Sequence, residues 1–230
     1  VEATIALARL VRQRQPRLYD YVFGHRDKRS VQALLDIAAM KPVLHVSGMF
    51  GAQRHNIALI APLALHPVNR NEVICFDLDA DPAPLFELDP QQLGELLFSR
   101  AGDLPEGAHR PGLKTVHINR CPVLVTAKMA DPATAERLGI STQRCHHHLA
   151  LLRDFRGRDA AGFTAKLQAV FSARRLEPAT DPDLMLYGGD FFNDRDKRVM
   201  DDVRASSPAE LASASFTFEG IDTLVFIQRL

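Results

Sequence analysis

The sequence predicts an α+β fold: a small antiparallel barrel or sheet with helices set around it, followed by a helical region. Three observations carry this expectation. Short runs rich in Val, Ile and Leu (Val43 to Ser47, Ile57 to Ile60, Val73 to Phe76) are parted by Gly, Pro and Asn turns. Asp-Pro pairs and an isolated Ser stand where helices would open between and after these runs. Beyond Leu176 to Asp183, a stretch with two prolines, the texture is helical.

In chain order, Val1 to Val11 have helix composition and an apolar stripe, with no Ser, Thr, Asp or Asn ahead of them as a cap. Pro16 can start a second helix with Leu18, Tyr21 and Val22 on one face. Ser30 is expected to cap Val31 to Ile37. After the first three strands, Asp89 caps a helix that begins at Pro90 and runs through Leu97, and a loop rich in Gly and Pro spans Gly102 to Gly112. Leu113 to Ile118 and Pro122 to Ala127 return to strand character. Asp131-Pro132 opens a short helix ending at Gly139, Ser141 begins a longer one through Leu152, and residues 159–174 read as a further helix. Asn193 or Asp194 can cap a helix to Arg204. Ile221, Leu224, Val225 and Ile227 then fall at helical spacing, and Leu230 follows without a glycine cap. Both ends therefore read as lying inside helices, as in a piece of a longer protein. The expected division is 1–15, 16–175 and 176–230.

The 230 residues suffice for one large or two modest domains, and a hydrophobic share of 46% is ordinary for a globular core. Lys and Arg number 28, as do Asp and Glu, so the formal net charge is zero. Distribution matters more than the sum. Residues 1–30 carry Arg9, Arg12, Arg14, Arg17, Arg26, Lys28 and Arg29 against Glu2, Asp20 and Asp27, whereas residues 77–95 carry acids and no base. One basic face is compatible with overall neutrality. Cys75, Cys121 and Cys145 are odd in number and widely spaced, which argues against a disulfide framework and for a cytoplasmic setting. No apolar run approaches the roughly 18 residues that a membrane span needs, and no signal-peptide pattern opens the chain.

Several clusters invite chemistry and fail on geometry. In His146-His147-His148, consecutive helical residues point about 100° apart, so three imidazoles cannot converge on one metal. Asp77, Asp79 and Asp81 alternate as in a calcium loop, but the glycine and the closing glutamate are missing, which leaves a solvated acidic turn. Asp190, Asp194 and Asp196 read as helix-capping acids. No nucleophile elbow, phosphate loop, dinucleotide fingerprint or zincin motif is present.

The densest stretch is Lys41 to Asn56. A strand leads into Gly48 and Gly51, which bracket Met49 and Phe50, and Arg54, His55 and Asn56 follow. Such an apolar pair in a loop either tucks into the core or offers a stacking face to a ligand, with the polar residues beside it to hold phosphate or base edges. This run resembles the start of the SH3-like domain of the bacterial exonuclease I family. Arg14-Gln15-Pro16-Arg17-Leu18-Tyr19-Asp20-Tyr21, Ala61-Pro62-Leu63-Ala64 with His66-Pro67, Val116-His117-Ile118-Asn119 with Cys121-Pro122-Val123-Leu124, and Arg137-Leu138-Gly139-Ile140 match the family in the same order.

The resemblance implies an SH3-like β-barrel with inserted helices at 16–175, preceded by the last helix of a nuclease domain and followed by the start of an all-helical domain. It implies a magnesium-dependent, 3′ to 5′ single-stranded DNA exonuclease of repair and recombination. The family's catalytic carboxylates do not map onto this sequence, so the chain by itself is expected to be inactive and to need no metal. Its expected partners are single-stranded DNA and the acidic, Phe-ended tail of single-stranded DNA-binding protein. Lys41, Met49, Phe50, Arg54 and Asn56 are the DNA-facing candidates. Tyr21, Lys41 and Arg153 match the tail pocket, where a cation would pair with carboxylates while a ring and an aliphatic stem accept the phenylalanine. Asp131 and Thr142 stand where the family member compared has basic residues, and His146 replaces an apolar one; Lys128 and Arg144 are substitute cations. Gln53 and His55 likewise depart from the family at the turn. The rival readings are a stand-alone peptide-binding module with no nucleic-acid function and a metal-dependent hydrolase built on the His and Asp clusters.

Overall fold

The computed structural model describes residues 2–104, 107, 109–172 and 193–217. They belong to two compact units, Val1–Arg174 and Arg175–Leu230. The first unit opens with α1 (Glu2–Arg14), α2 (Pro16–Gly24) and α3 (Lys28–Leu34). Pro16 takes the first helical position of α2, where a missing N–H leaves no bond unmade. The cap of α3 is Asp27 rather than Ser30. Its carboxylate accepts from the backbone N–H of Arg29 and of Ser30, both at 3.0 Å, and from the Ser30 hydroxyl. A charged acceptor outcompetes a hydroxyl for those donors.

Five strands follow, with two helices interposed: β1 (Val43–Val46), β2 (Ile57–Leu65), β3 (Glu72–Asp77), α4 (Ala83–Glu87), α5 (Pro90–Phe98), β4 (Leu113–His117) and β5 (Val123–Thr126). All pairings are antiparallel, in the order β4-β3-β2-β1-β5. The expected SH3-like barrel is therefore corrected: among the described residues the two edge strands, β4 and β5, do not pair with each other, and the sheet stays open. The α+β class stands. Lys114 and His45 lie three strands apart, about 14 Å in a flat sheet, yet their side-chain nitrogens meet at 3.1 Å.

Strand β2 runs longer than the expected Ile57 to Ile60 and passes through Pro62. The register against β3 shifts between Pro62 and Ala64, so a bulge absorbs the residue that cannot donate to the ladder.

Strand alternation then sorts the core. Val43, Ile60, Cys75, Val116 and Leu124 bury on one face with Val31 of α3 and Leu35 just after it. Leu44, Leu59, Ile74 and Phe76 bury on the other. That second face is covered by helices from the end of the unit: α6 (Pro132–Arg137), α7 (Thr142–Arg158) and α8 (Ala160–Ser172). In α7 the buried residues are Cys145, Leu149 and Leu152, and in α8 Phe163, Leu167, Val170 and Phe171, at helical spacing. Each such Leu or Phe contributes about 1.5–3 kcal/mol. Asp89, Asp131 and Ser141 cap α5, α6 and α7 as expected. All three cysteines are free thiols.

In the second unit, Asn193 caps α9 (Asp194–Ala205), accepting from the N–H of Arg195 and Asp196 at 2.9 and 2.8 Å. A capping box between Ser207 and Glu210 opens α10 (Pro208–Ser213). The Leu176 to Asp183 boundary, Asp190 and the helix expected around residues 221–227 lie outside the described residues. Among the described residues no helix is long and apolar enough to cross a membrane.

Candidate functional site

The connection between β1 and β2 is two successive 3-10 turns, Gly48–Phe50 and Ala52–Arg54. Gly51 sits at φ +77° between them, a conformation that a side chain would strain. His55 and Asn56 continue in the left-handed region at φ 51° and 55°. Asn and His tolerate it better than β-branched residues do. The Ser47 N–H donates to the Asn56 carbonyl at 2.8 Å and the Asn56 N–H to the Gly51 carbonyl at 3.0 Å, which closes the loop at its base.

This geometry divides Met49 from Phe50. Met49 is 80% exposed. The Phe50 ring packs against the core on the α3 side of the sheet, with its edge to His45 at 5.7 Å between centroids. The Lys114 ammonium lies 3.9 Å from the Phe50 centroid and the Arg54 guanidinium carbon 5.5 Å. Phe50 thus takes the core alternative, and Met49 is left exposed.

Arg54 grips Asp77 at the end of β3 with both terminal nitrogens, at 2.5 and 3.1 Å. Asp79 lies 3.8 Å from Arg54 and also accepts from Arg144, whose Nε stands at 2.8 Å. Asp77 and Asp79 are therefore an ion-pair relay between the turn and α7, not the solvated acidic turn expected.

Lys114 was not legible as a site residue. Its β4 side chain shares a face with Val116 and Ile118, and only 7% of the residue is exposed. Burial holds its ammonium pKa down to about 8, with Cys75 and Asp77 opposing. His45, 6% exposed, is pushed down to about 3 by burial and by the Lys114 charge. The imidazole is thus neutral near pH 7 and its Nδ1 accepts from Lys114. Lys114, Arg54 with its partner Asp77, Arg110, Met49 and Phe50 line one cleft of about 340 Å³, walled by Leu97, Pro111 and Leu113. Gly112 permits the close approach of that wall: a Cβ there would stand 2.6 Å from Ala80 Cβ and 3.0 Å from the Phe76 ring.

The second group of candidates lies around residues 36–41. Arg153 of α7 donates to the Ala39 carbonyl at 2.8 Å and to the Met40 carbonyl at 3.3 Å. Arg156, one turn on and not anticipated, donates to Ile37 and Ala38, both at 2.8 Å. Four successive carbonyls are thus held by two guanidinium groups. The clamp fixes Met40 in the left-handed region at φ 44°, with its side chain fully buried. Lys41 follows directly and is exposed. Tyr21 donates its hydroxyl to the Leu124 carbonyl of β5 at 2.9 Å and packs on His25 at 4.3 Å between centroids. Partial burial raises its pKa. Arg153 and Lys41 meet at one segment, whereas no hydrogen bond or ring contact joins Tyr21 to either.

Asp131 caps α6 through the Thr134 N–H at 2.8 Å, Thr142 opens α7, and His146 and Lys128 are exposed. His148 donates from Nδ1 to the Leu78 carbonyl at 2.9 Å while its ring stays beside that of His147, 5.9 Å between centroids. Among the described residues no three His, Cys, Asp or Glu side chains stand together so as to hold a metal ion. The described donor set therefore does not fit the metal of a nuclease centre.

Comparison with known proteins extends these observations. Residues 26–173 match the family model of the exonuclease I SH3-like domain and residues 180–229 that of the exonuclease I C-terminal domain. The chain is 45% identical over 232 aligned positions to exodeoxyribonuclease I of Escherichia coli K12, covering 100% of the chain and 47% of that protein. It is 39% identical over 221 to the Haemophilus influenzae exodeoxyribonuclease I, covering 95% and 46%. The chain thus spans about half the length of the curated relatives it matches. Among solved structures, a metal-free E. coli ExoI–ssDNA complex superposes with a TM-score of 0.79 at 44% identity, covering 99% of this chain and 48% of that one. An SSB/exonuclease I structure with the inhibitor CFAM gives 0.76 at 42%, covering 99% and 46%. With family models matching well over half its length and relatives this similar, the chain belongs to the exonuclease I family.

Proposed function

We propose that this chain forms the channel wall and partner-docking portion of a 3′ to 5′ single-stranded DNA exonuclease acting in repair and recombination in the cytoplasm. The observation that carries the reading is the near-complete superposition on ExoI–ssDNA complexes. In this role Lys41, ahead of β1, and Met49, Phe50, Arg54 and Asn56 of the β1–β2 turn face the DNA strand. Met49 offers its exposed side chain to a base, Phe50 anchors the turn, Lys41 and Asn56 meet backbone oxygens, and Arg54, paired with Asp77, adds positive charge at the margin. Tyr21, Lys41 and Arg153 take the acidic, Phe-ended tail of single-stranded DNA-binding protein, a role supported by the match to an SSB/exonuclease I structure. Magnesium and the hydrolytic step belong to carboxylates outside this chain. Residues 16–175 act as the SH3-like portion and 176–230 as part of the helical one, a division that the family-model bounds support.

The test is fluorescence anisotropy of a labelled oligothymidylate titrated with the chain at low and moderate salt, with a duplex of equal length as control. Salt-sensitive preference for the single strand is expected. Equal affinity for the duplex, or no binding at either salt, would overturn the channel-wall role.

A further inference from the structure

We propose that the cleft between Phe50, Arg110 and Lys114 is a phosphodiester subsite for single-stranded nucleic acid, with Lys114 as its buried cation. This rests on the channel-wall reading and adds to it a contact that the turn residues do not supply. Arg54 has committed its guanidinium to Asp77. Lys114 has not: among the described residues no carboxylate lies in ion-pair range of its ammonium, whose close neighbours are a neutral imidazole and a ring face. Arg110, on the opposite side, is exposed and donates to the Ser99 carbonyl.

An ammonium largely withdrawn from water, whose acidic neighbour Asp77 is already gripped by Arg54, is costly to keep, and an apolar replacement is often neutral or stabilising. A chain that keeps it retains a site that an anion completes. Lys114 and Arg110 approach from different elements, with Arg54 at the margin. A phosphodiester, whose oxygens point in several directions, meets such spread donors better than the two coplanar oxygens of a carboxylate, and Met49 stands at the mouth to pack against the attached base. The groups facing Lys114 are His45 from β1, Cys75 and Asp77 from β3, and Arg54 from the turn. The amine of Lys114, already half deprotonated near pH 8, is the group whose protonation the anion requires.

The experiment is oligothymidylate binding to the whole chain by anisotropy at pH 7 and pH 9, for the native protein, K114M, K114R and R110A, with an acidic Phe-ended peptide titrated in parallel. Native affinity is expected to fall about tenfold between the two pH values. K114M should bind weakly at both, with the pH dependence gone, while its thermal midpoint stays level or rises. K114R, charged at both pH values, should remove the pH dependence while retaining more affinity at pH 9 than K114M. R110A should weaken binding and keep the pH response. If the native chain binds and K114M binds equally well with the same pH profile, the subsite is wrong and the channel-wall reading survives. If the native chain binds no oligonucleotide at all, both fall. If K114M instead loses only the acidic peptide, the cleft is a carboxylate site and the phosphodiester assignment is overturned.

Discussion

Arg54 and Asp77 form a two-pronged ion pair, at 2.5 and 3.1 Å, that ties the glycine-bracketed turn to the end of the third strand. Asp77 is only 8% exposed, so removing its partner leaves a carboxylate that water reaches poorly. Arg54→Ala is expected to lower stability by about 1.5–3 kcal/mol, with the lower end favoured because a third of the Arg54 side chain meets solvent. Arg54→Ala combined with Asp77→Asn should recover part of the loss. Urea unfolding of the single and double variants checks this, and an unchanged midpoint for the single variant would show that solvent replaces the guanidinium without cost.

His45 and Lys114 give the fold a defined response to pH. His45 falls to about 3 in the native state from an ordinary value near 6.5, so the unfolded chain binds the extra proton between those limits. Stability should decline as pH drops below about 6.5, at up to about 1.4 kcal/mol per unit for this group, and level off near 3. Lys114 works in the same direction higher up, since the unfolded amine stays protonated between about 8 and its ordinary 10.5; stability should rise across that window. Thermal midpoints measured from pH 3 to pH 10 test both arms. A His45→Asn variant that still loses stability as steeply below pH 6 would remove the histidine from the account.

Gly112 is a packing requirement. A methyl group there would press on Ala80 and on Phe76, and Phe76 lies fully inside the core. Gly112→Ala should cost about 1–3 kcal/mol, read as a lower denaturant midpoint with little change in slope. A midpoint equal to that of the native chain would mean that the wall of the cleft moves aside freely.

Arg153 carries two loads, the carbonyls of Ala39 and Met40 and, in the proposed role, a carboxylate of the partner tail. Calorimetric titration of an acidic peptide ending in Phe should show Arg153→Ala weaker by about 1.5–3 kcal/mol. Arg156→Ala separates the loads. It loosens the same segment without removing the proposed contact, so its effect on the peptide should be smaller. Equal losses would assign the effect to the segment rather than to Arg153.

The strands and most caps were legible because their signals are local. Asp89, Asp131 and Ser141 supply acceptors to first-turn N–H groups that have no partner within the helix, and β-branched runs extend. The run Ile57 to Ile60 is shorter than β2 because Pro62 looks like a stop in a single strand, and the bulge that accommodates it belongs to the pairing with the neighbouring strand. Openness of the sheet was illegible for the same reason: whether β4 meets β5 is a relation between edges that no single run encodes. At the site, Lys41, Met49, Arg54 and Arg153 were visible as exposed or charged residues. Lys114 is hard to read as a site residue because a lysine in a strand ordinarily faces solvent. The available signal was period two, which sets Lys114 on one face with Val116 and Ile118. Arg156 carried no such signal, since its partners are backbone carbonyls more than 100 residues away.

The adjacency of Met49 and Phe50 has a consequence for how this surface can change over time. One residue is committed to the interior and holds the loop in place; its neighbour, fixed by that same anchor, has almost no folding duty. Replacements at position 49 can therefore be sampled with little penalty to the fold, while position 50 is held to an aromatic plug. A single turn thus separates a constrained position from a tunable one, and divergence within the family is expected to accumulate at the first rather than at the second.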